Sequence, residues 1–371
     1  MRKHKRGNYN LLVLSRRLKA KVFIVRKSRV VSYLGKRFLN LTSISREIFK
    51  EKNKRLFIYG AGGLGNQLFQ LAAGYSIRDG REIVFEIGFS GPRKPSIKNH
   101  FYSSLSLNDG IKVKSSNKLN AITQILLSYL LRVSTKTSGI ESSRIHRIFS
   151  SLIGSVYFSF YYKCFLVMTI SKGVGSYELQ KYKSNQMIVG YFQSYRYLED
   201  EIGDSNFSSL LELRNPGPDL IDWTNLAKKQ NPIIIHIRLG DYLYEKQFGV
   251  VTTKYMSEAL AKLSSKRDSR PIWVFTDQKD LALDIFPSDY RSRAVWVPEI
   301  DSDPFSTLLV MRLGSGYVIA NSTFGWWAAW SKESANAPVF CPTPWFSGLE
   351  TPSNLIPKDW IPIPSYFKES K

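Results

Sequence analysis

From Arg55 onward, short apolar runs alternate with stretches of helical period. Arg55–Gly60 and Glu82–Ile87 are runs of strand length. Between them lie a glycine turn at residues 61–65 and a segment, Asn66–Arg78, that places Leu68, Leu71, Ala72 and Tyr75 on one helical face. That order predicts a β-α-β unit. Residues 88–118 are polar with Gly and Pro signals and read as loop. Ala121–Arg132 reads as helix. Ser151–Ile170, aromatic and apolar, comes nearest to a membrane-spanning stretch, but Lys163 interrupts it and its β-branched and aromatic content suits buried strands at least as well. The two prolines flanking glycine in Asn215-Pro-Gly-Pro218 cannot continue a regular element, which marks a linker. Beyond it the alternation restarts. Strands are predicted at Ile233–Ile237, Pro271–Phe275 and Gly316–Ala320, and helices at Thr253–Ser264, Asp303–Leu313 and Phe324–Ser331. The pattern predicts an α/β fold of two Rossmann-like domains facing a cleft. Residues 56–214 form the first domain and 219–346 the second, with 1–55 an extension before them and 347–371 a tail.

Charge changes the reading of the extension. The 371 residues carry a net charge of +23, and 18 of the 53 Lys and Arg fall in residues 1–55 against only Glu47 and Glu51. There Leu11, Leu14, Leu18, Val22 and Val25 recur at helical spacing, with Arg16, Arg17, Lys19, Arg26 and Lys27 mostly elsewhere around the turn. A basic amphipathic segment of this kind suits an anionic membrane surface better than nucleic acid. No long apolar segment near the N-terminus suggests a secretory signal or anchor, so a cytoplasmic protein, peripheral at the inner membrane face, is expected. The two cysteines, Cys164 and Cys341, are far apart without metal-ligand neighbours, and no disulfide framework is indicated.

Four sequences carry chemistry. Gly60-Ala-Gly62-Gly-Leu-Gly65 follows a strand and opens a helix, and Glu86 ends the next strand, as in a dinucleotide site; an oxidoreductase is therefore the alternative function. Whatever the ligand, the glycines let backbone N–H groups approach a phosphate or sugar. The apolar run Pro232–Ile237 ends in His236, Arg238 and Asp241, which delivers charge to the carboxyl edge of a buried strand. An arginine there meets either an anion or an internal carboxylate. Asp277 follows another strand. Ser322 and Thr323 precede a tryptophan-rich helix, where hydroxyls and helix-start amides make an anion site, and those tryptophans read as core. Asp301 and Asp303 resemble a D-x-D metal motif, but their place before Pro304 and a helix favours capping.

Together these stretches resemble the α-1,2-fucosyltransferases, inverting glycosyltransferases. The motifs are Gly62-Gly-Leu-Gly-Asn-Gln-Leu-Phe-Gln70, Gly190-Tyr-Phe-Gln-Ser194, His236-Ile-Arg-Leu-Gly-Asp-Tyr242 and Ala320-Asn-Ser-Thr-Phe-Gly-Trp-Trp-Ala-Ala-Trp330, with support from Phe275-Thr-Asp277 and Pro344-Trp-Phe346. The resemblance spans about residues 56–346. It implies a GT-B architecture, GDP-β-L-fucose as donor, a galactose-containing acceptor, an α-1,2 linkage formed with inversion, and no cofactor or metal. It implies that Arg238 clamps the diphosphate, His236 and Asp277 face the guanosine, and Ser322 and Thr323 hold phosphate oxygens. Gly63, Asn66 and Gln67 would close the donor pocket, and Tyr191 and Gln193 would lie on the acceptor side. Asp241 and Glu245 are the nearest carboxylates for deprotonating the acceptor. Leu239 departs from the pattern, which usually has a second arginine there.

Overall fold

The computed structural model describes residues 54–87, 102, 110–115, 121–136, 143–175, 177–199, 211–213, 215–265 and 268–367. The basic segment expected at 1–55 lies almost wholly outside them. By internal contacts the chain divides into Asn53–Tyr157 with Leu166–Lys371, and a small unit whose described part is Phe158–Phe165. Within that small unit Phe158, Tyr161 and Tyr162 pack ring against ring. Both sheets belong to the larger unit.

The first sheet is built from β1 (Arg55–Gly60), β2 (Glu82–Ile87), β3 (Ile111–Ser115), β4 (Leu166–Ile170) and β5 (Asn185–Val189) in the order β3-β2-β1-β5-β4. Every pairing is parallel. Helices α1 (Leu64–Ser76), α2 (Ala121–Thr135) and α3 (Arg144–Tyr161) and the short α4 (Arg196–Glu199) accompany it. The second sheet runs β11-β10-β9-β6-β7-β8, again all parallel. Its strands are β6 (Ile233–Ile237), β7 (Ile272–Thr276), β8 (Ala294–Trp296), β9 (Gly316–Ile319), β10 (Val339–Thr343) and β11 (Ile361–Pro364). Its helices are α5 (Pro218–Gln230), α6 (Thr253–Leu263), α7 (Lys279–Ile285), α8 (Pro304–Met311) and α9 (Thr323–Trp330). The α/β class and the paired parallel sheets expected of a GT-B architecture are present.

Fully buried apolar strands explain the parallel sheets: all five residues of β6 are buried, as crossover helices on both faces require. One apolar core also runs between the sheets. Phe69 of α1 packs against Trp326 and Trp327 of α9, with centroids 4.5 and 5.1 Å away. The tryptophans are core, as their spacing predicted; Trp326 spends its indole N–H on the Leu355 carbonyl, 2.7 Å away.

Several elements differ from expectation. β3 falls inside the stretch read as loop, because Ile111-Lys-Val-Lys-Ser alternates too briefly to stand out. Ser151–Ile170 is mostly helix, with only Leu166–Ile170 a strand. Residues 361–364, expected to be tail, form β11 at the edge of the second sheet, where prolines cost no ladder bond that a neighbour needs. The linker prolines lead directly into α5, with Pro218 its first residue and Gly217 its N-cap.

Candidate active site

In a parallel sheet the ligand crevice opens where neighbouring strands send their connections to opposite sides. In the second sheet that point lies between β6 and β9, and His236, Arg238 and Asp241 follow from one while Asn321, Ser322 and Thr323 follow from the other. In the first sheet it lies between β1 and β5, which end in the glycine turn and in Gly190-Tyr-Phe-Gln193. The predicted residues therefore gather at two switch points.

At β6, Arg238 is 30 % exposed and anchored on both sides. Its guanidinium meets Asp241 Oδ1 at 2.5 Å and Asp277 Oδ2 at 3.0 Å. It also lies 5.7 Å from the Tyr242 ring centroid. Asp277 has a second duty, accepting the Leu239 N–H at 2.9 Å. Gly240 makes this close seating feasible, since a Cβ there would overlap Asp277 Oδ2. The internal Arg–Asp bridge weighed from the sequence is thus present, and it holds the guanidinium in a fixed orientation at the sheet edge. Leu239 turns inward and packs with the core around Val250 and Val251, where an arginine would be buried. Asp241 is 58 % exposed on its side chain, and Glu245 is exposed further along the same loop.

His236 is buried, and its Nδ1 has no hydrogen-bond partner among the described residues. Burial, then the positive charge of Arg238, lower its pKa to about 3, so the ring is neutral at physiological pH. A Cβ on Gly325 would lie 2.6 Å from that nitrogen, so glycine lets the α9 backbone pack directly against the imidazole. Ser322 caps α9 by accepting the Phe324 N–H at 3.3 Å, which leaves its hydroxyl hydrogen as a donor beside Thr323.

The first switch point carries amides rather than charges. Gly62 adopts a positive φ of 81°, and Gly63 faces open space at its Cβ position. Asn66 Oδ1 accepts a hydrogen bond from Gln193 Nε2 at 2.9 Å, which ties the two loops together. Gln193 Oε1 is buried and unpartnered among the described residues. Gln67 donates to the Gly62 carbonyl at 2.9 Å and accepts from the Tyr102 hydroxyl at 2.6 Å. Tyr191 is partly buried and its hydroxyl pKa is pushed up by burial. Gly65 brings α1 against α9 so closely that a Cβ would overlap the Thr323 backbone, and the two switch points are joined there.

The sequence reading passed over three contributors. Tyr242 donates to the Asn321 carbonyl at 3.0 Å, and Asn321 Nδ2 donates to the Phe248 and Gly249 carbonyls at 2.8 and 3.1 Å, so together they brace the arginine loop against β9. Both lay inside quoted motifs without a role. Tyr102 supports Gln67 from a stretch that gave no signal. The aspartates of the D-x-D look act as caps. Asp303 accepts the Ser306 N–H at 3.0 Å, and Asp301 accepts the Asp219 N–H at 3.2 Å at the start of α5. Among the described residues no group of three or more His, Cys, Asp or Glu is placed to hold a metal ion.

Residues 185–353 match the sequence model of Glycosyl transferase family 11. The resemblance read from the motifs is borne out, and the match and the relatives below support a glycosyltransferase activity. Three of the four motifs fall inside the matched residues, and the glycine turn precedes them. The chain is 25 % identical over 309 residues to the alpha-1,2-colitosyltransferase of Escherichia coli, covering 82 % of this chain and 97 % of that one. It is 24 % identical over 314 residues to the O-antigen biosynthesis glycosyltransferase WbnK of Escherichia coli, covering 81 % and 98 %. Among solved structures it is distantly similar to the fucosyltransferase NodZ from Bradyrhizobium, at 13 % identity and a TM-score of 0.40, over 75 % of this chain and 92 % of that one.

Proposed function

We propose that the protein transfers L-fucose from GDP-β-L-fucose to the 2-hydroxyl of a galactoside, forming an α-1,2 linkage with inversion, in the synthesis of a surface glycan such as O-antigen or capsule. The observation that carries this reading is the loop after β6: a braced arginine beside a neutral, buried histidine at the switch point. As the glycosidic bond breaks, negative charge grows on the departing diphosphate while the sugar becomes oxocarbenium-like. A guanidinium already fixed in place stabilises that charge without reorganisation. Ser322, Thr323 and the first turn of α9 add donors on the other side of the crevice. We assign His236 to the nucleoside side of the pocket, where its neutral ring introduces no second cation. We assign donor closure to Gly63, Asn66 and Gln67, and acceptor contact to Gln193 and Tyr191. Charge neutralisation by these groups makes the reaction metal-independent. Asp241 and Glu245 are the two carboxylates on the loop able to take the acceptor proton.

We place the enzyme in the cytoplasm, peripheral at the inner face of the membrane, where the basic residues 1–55 contact anionic lipid and a lipid-linked acceptor is at hand. A second donor reading comes from the colitosyltransferase relative. Colitose is fucose without its 3-hydroxyl, and only a site that hydrogen-bonds that hydroxyl would separate the two strongly. The test is a panel of nucleotide sugars with a β-galactoside acceptor, with and without EDTA. Transfer from GDP-fucose, unchanged by EDTA and faster than from GDP-colitose, is the expected outcome. Preference for GDP-colitose would move the assignment to that sugar, and loss of activity in EDTA would overturn metal independence.

A further inference from the structure

Helices α2 and α3 form an antiparallel pair beside β4, and α3 is built inside out. Its inward side is small and polar: Ser150, Gly154 and Ser155 are buried. Gly154 sits so close to the sheet that a Cβ would overlap Met168 Sδ, and Ser155 Oγ accepts the Met168 N–H at 2.8 Å. Over its first thirteen residues the large apolar side chains point the other way. Ile145, Phe149, Ile153 and Val156 recur at intervals of four, four and three, which is one continuous stripe, and all four are exposed, Phe149 at 59 %. On α2, Ile122 and Ile125 are exposed at 66 and 70 %. The pairing is fixed by Thr123 to the Tyr157 hydroxyl at 2.6 Å and Tyr129 to His146 at 2.8 Å, so Ile122 and Ile125 lie near the Ile153–Val156 end. At the opposite end, Arg132, Lys136 and Arg144 are exposed, and Arg147 donates to the Lys136 carbonyl at 3.2 Å. Residues 121–165 contain five Lys and Arg and a single acid, Glu141.

We propose that this helical pair is an interfacial membrane-docking face for an anionic lipid bilayer, distinct from the basic segment at residues 1–55. An exposed apolar stripe of this length on a folded domain marks an interaction surface. Its charge selects the occupant. The exposed Arg132, Lys136 and Arg144 complement an anionic surface, whereas a second copy would bring the same excess of basic over acidic residues to the contact. An anionic bilayer accepts the apolar stripe below the headgroups and the basic end among them. No helix among the described residues is long and apolar enough to cross a membrane, and α3 needs only to lie in its plane. The face belongs to the first sheet, on the side of the molecule assigned to the acceptor, and its role is independent of which sugar is transferred.

The experiment is co-sedimentation of the full-length protein with phosphatidylcholine vesicles, with and without phosphatidylglycerol, comparing wild type with the double variant F149S/I153S. Wild type should pellet with the anionic vesicles and remain in solution with phosphatidylcholine alone. The variant should lose about fivefold or more of that binding. Its melting temperature and its transfer to a soluble galactoside should stay at wild-type levels, because both side chains already face solvent. Wild-type binding by the variant would overturn the proposal and leave any attachment to residues 1–55. Absence of wild-type binding would overturn it too, as would a wild-type dimer that the variant converts to monomer. None of these outcomes depends on the donor panel, so the two proposals fail separately.

Discussion

At its switch point the second sheet concentrates charge, with Arg238 held by two carboxylates and a histidine kept neutral beneath them. Among the described residues the first sheet offers no charged side chain at the equivalent point. Its contribution is a glycine turn and three amides: Asn66 and Gln193, bonded to each other, and Gln67, bonded back to the turn. The difference follows what each half must recognise. A departing diphosphate is an anion whose charge grows during reaction, and only fixed positive groups follow it. A sugar hydroxyl is neutral, and amides that both donate and accept suit it without the desolvation cost of a charge.

The comparison is broken most severely at Arg238. Replacing it by alanine should lower kcat/KM by about 10²–10³-fold, the scale of losing one pre-set anion donor, with GDP affinity falling as well. Circular dichroism and thermal melting should show a folded protein. Near-normal turnover would remove the clamp from Arg238. The carboxylates come next. If Glu245 is the base, Glu245→Gln should cost about 10²-fold or more in kcat with donor KM unchanged, while Asp241→Asn should raise donor KM by freeing the guanidinium. The opposite pattern would make Asp241 the base.

His236 gives the same contrast a pH signature. Its folded-state pKa of about 3 lies below the ordinary 6.5, so between these values the unfolded chain binds a proton that the folded one refuses. Stability is therefore complete above pH 6.5 and falls as pH drops toward 3, by up to about tenfold in the folding equilibrium per pH unit between the two values. The window from pH 6.5 to 5 is cleanest, because carboxylates titrate below it. Denaturant melts of wild type and His236→Asn across that window should diverge, with the variant showing the flatter profile. Parallel profiles would deny the histidine its buried neutral state.

The halves also differed in how much of them could be read beforehand. Around the second site, helices and strands follow each other with the apolar side inward, so Ile233–Ile237 and Thr253–Leu263 were located within a residue. The loop residues were legible because His236, Arg238 and Asp241 interrupt an otherwise apolar run. In the first half the rule of apolar-inside misleads. α3 turns Ser150, Gly154 and Ser155 inward and its isoleucines outward, so its composition mimics buried strand while its backbone is helical. The Arg238–Asp277 bridge was equally hidden, since a pairing across 39 positions is set by β6 and β7 lying side by side and leaves no local pattern.

Two glycines of one turn separate structure from recognition on a finer scale. Gly65 has the Thr323 backbone where a Cβ would go, and Gly63 has nothing within 4 Å. Gly65→Ala must push α1 away from α9, at a cost of roughly 1–3 kcal/mol in stability and with donor and acceptor residues displaced together. Gly63→Ala should leave the melting temperature unchanged or slightly raised, because φ is −71° there and alanine adopts it without strain. Its effect should appear only as a few-fold rise in donor KM, from a methyl group placed where the bound nucleotide sugar approaches the turn. If Gly63→Ala matched wild type in donor KM as well as in melting temperature, the open face of the turn would not be a donor surface. The first sheet's amides would then act on the acceptor alone, and the division of labour between the sheets would be sharper than the proximity of α1 to α9 suggests.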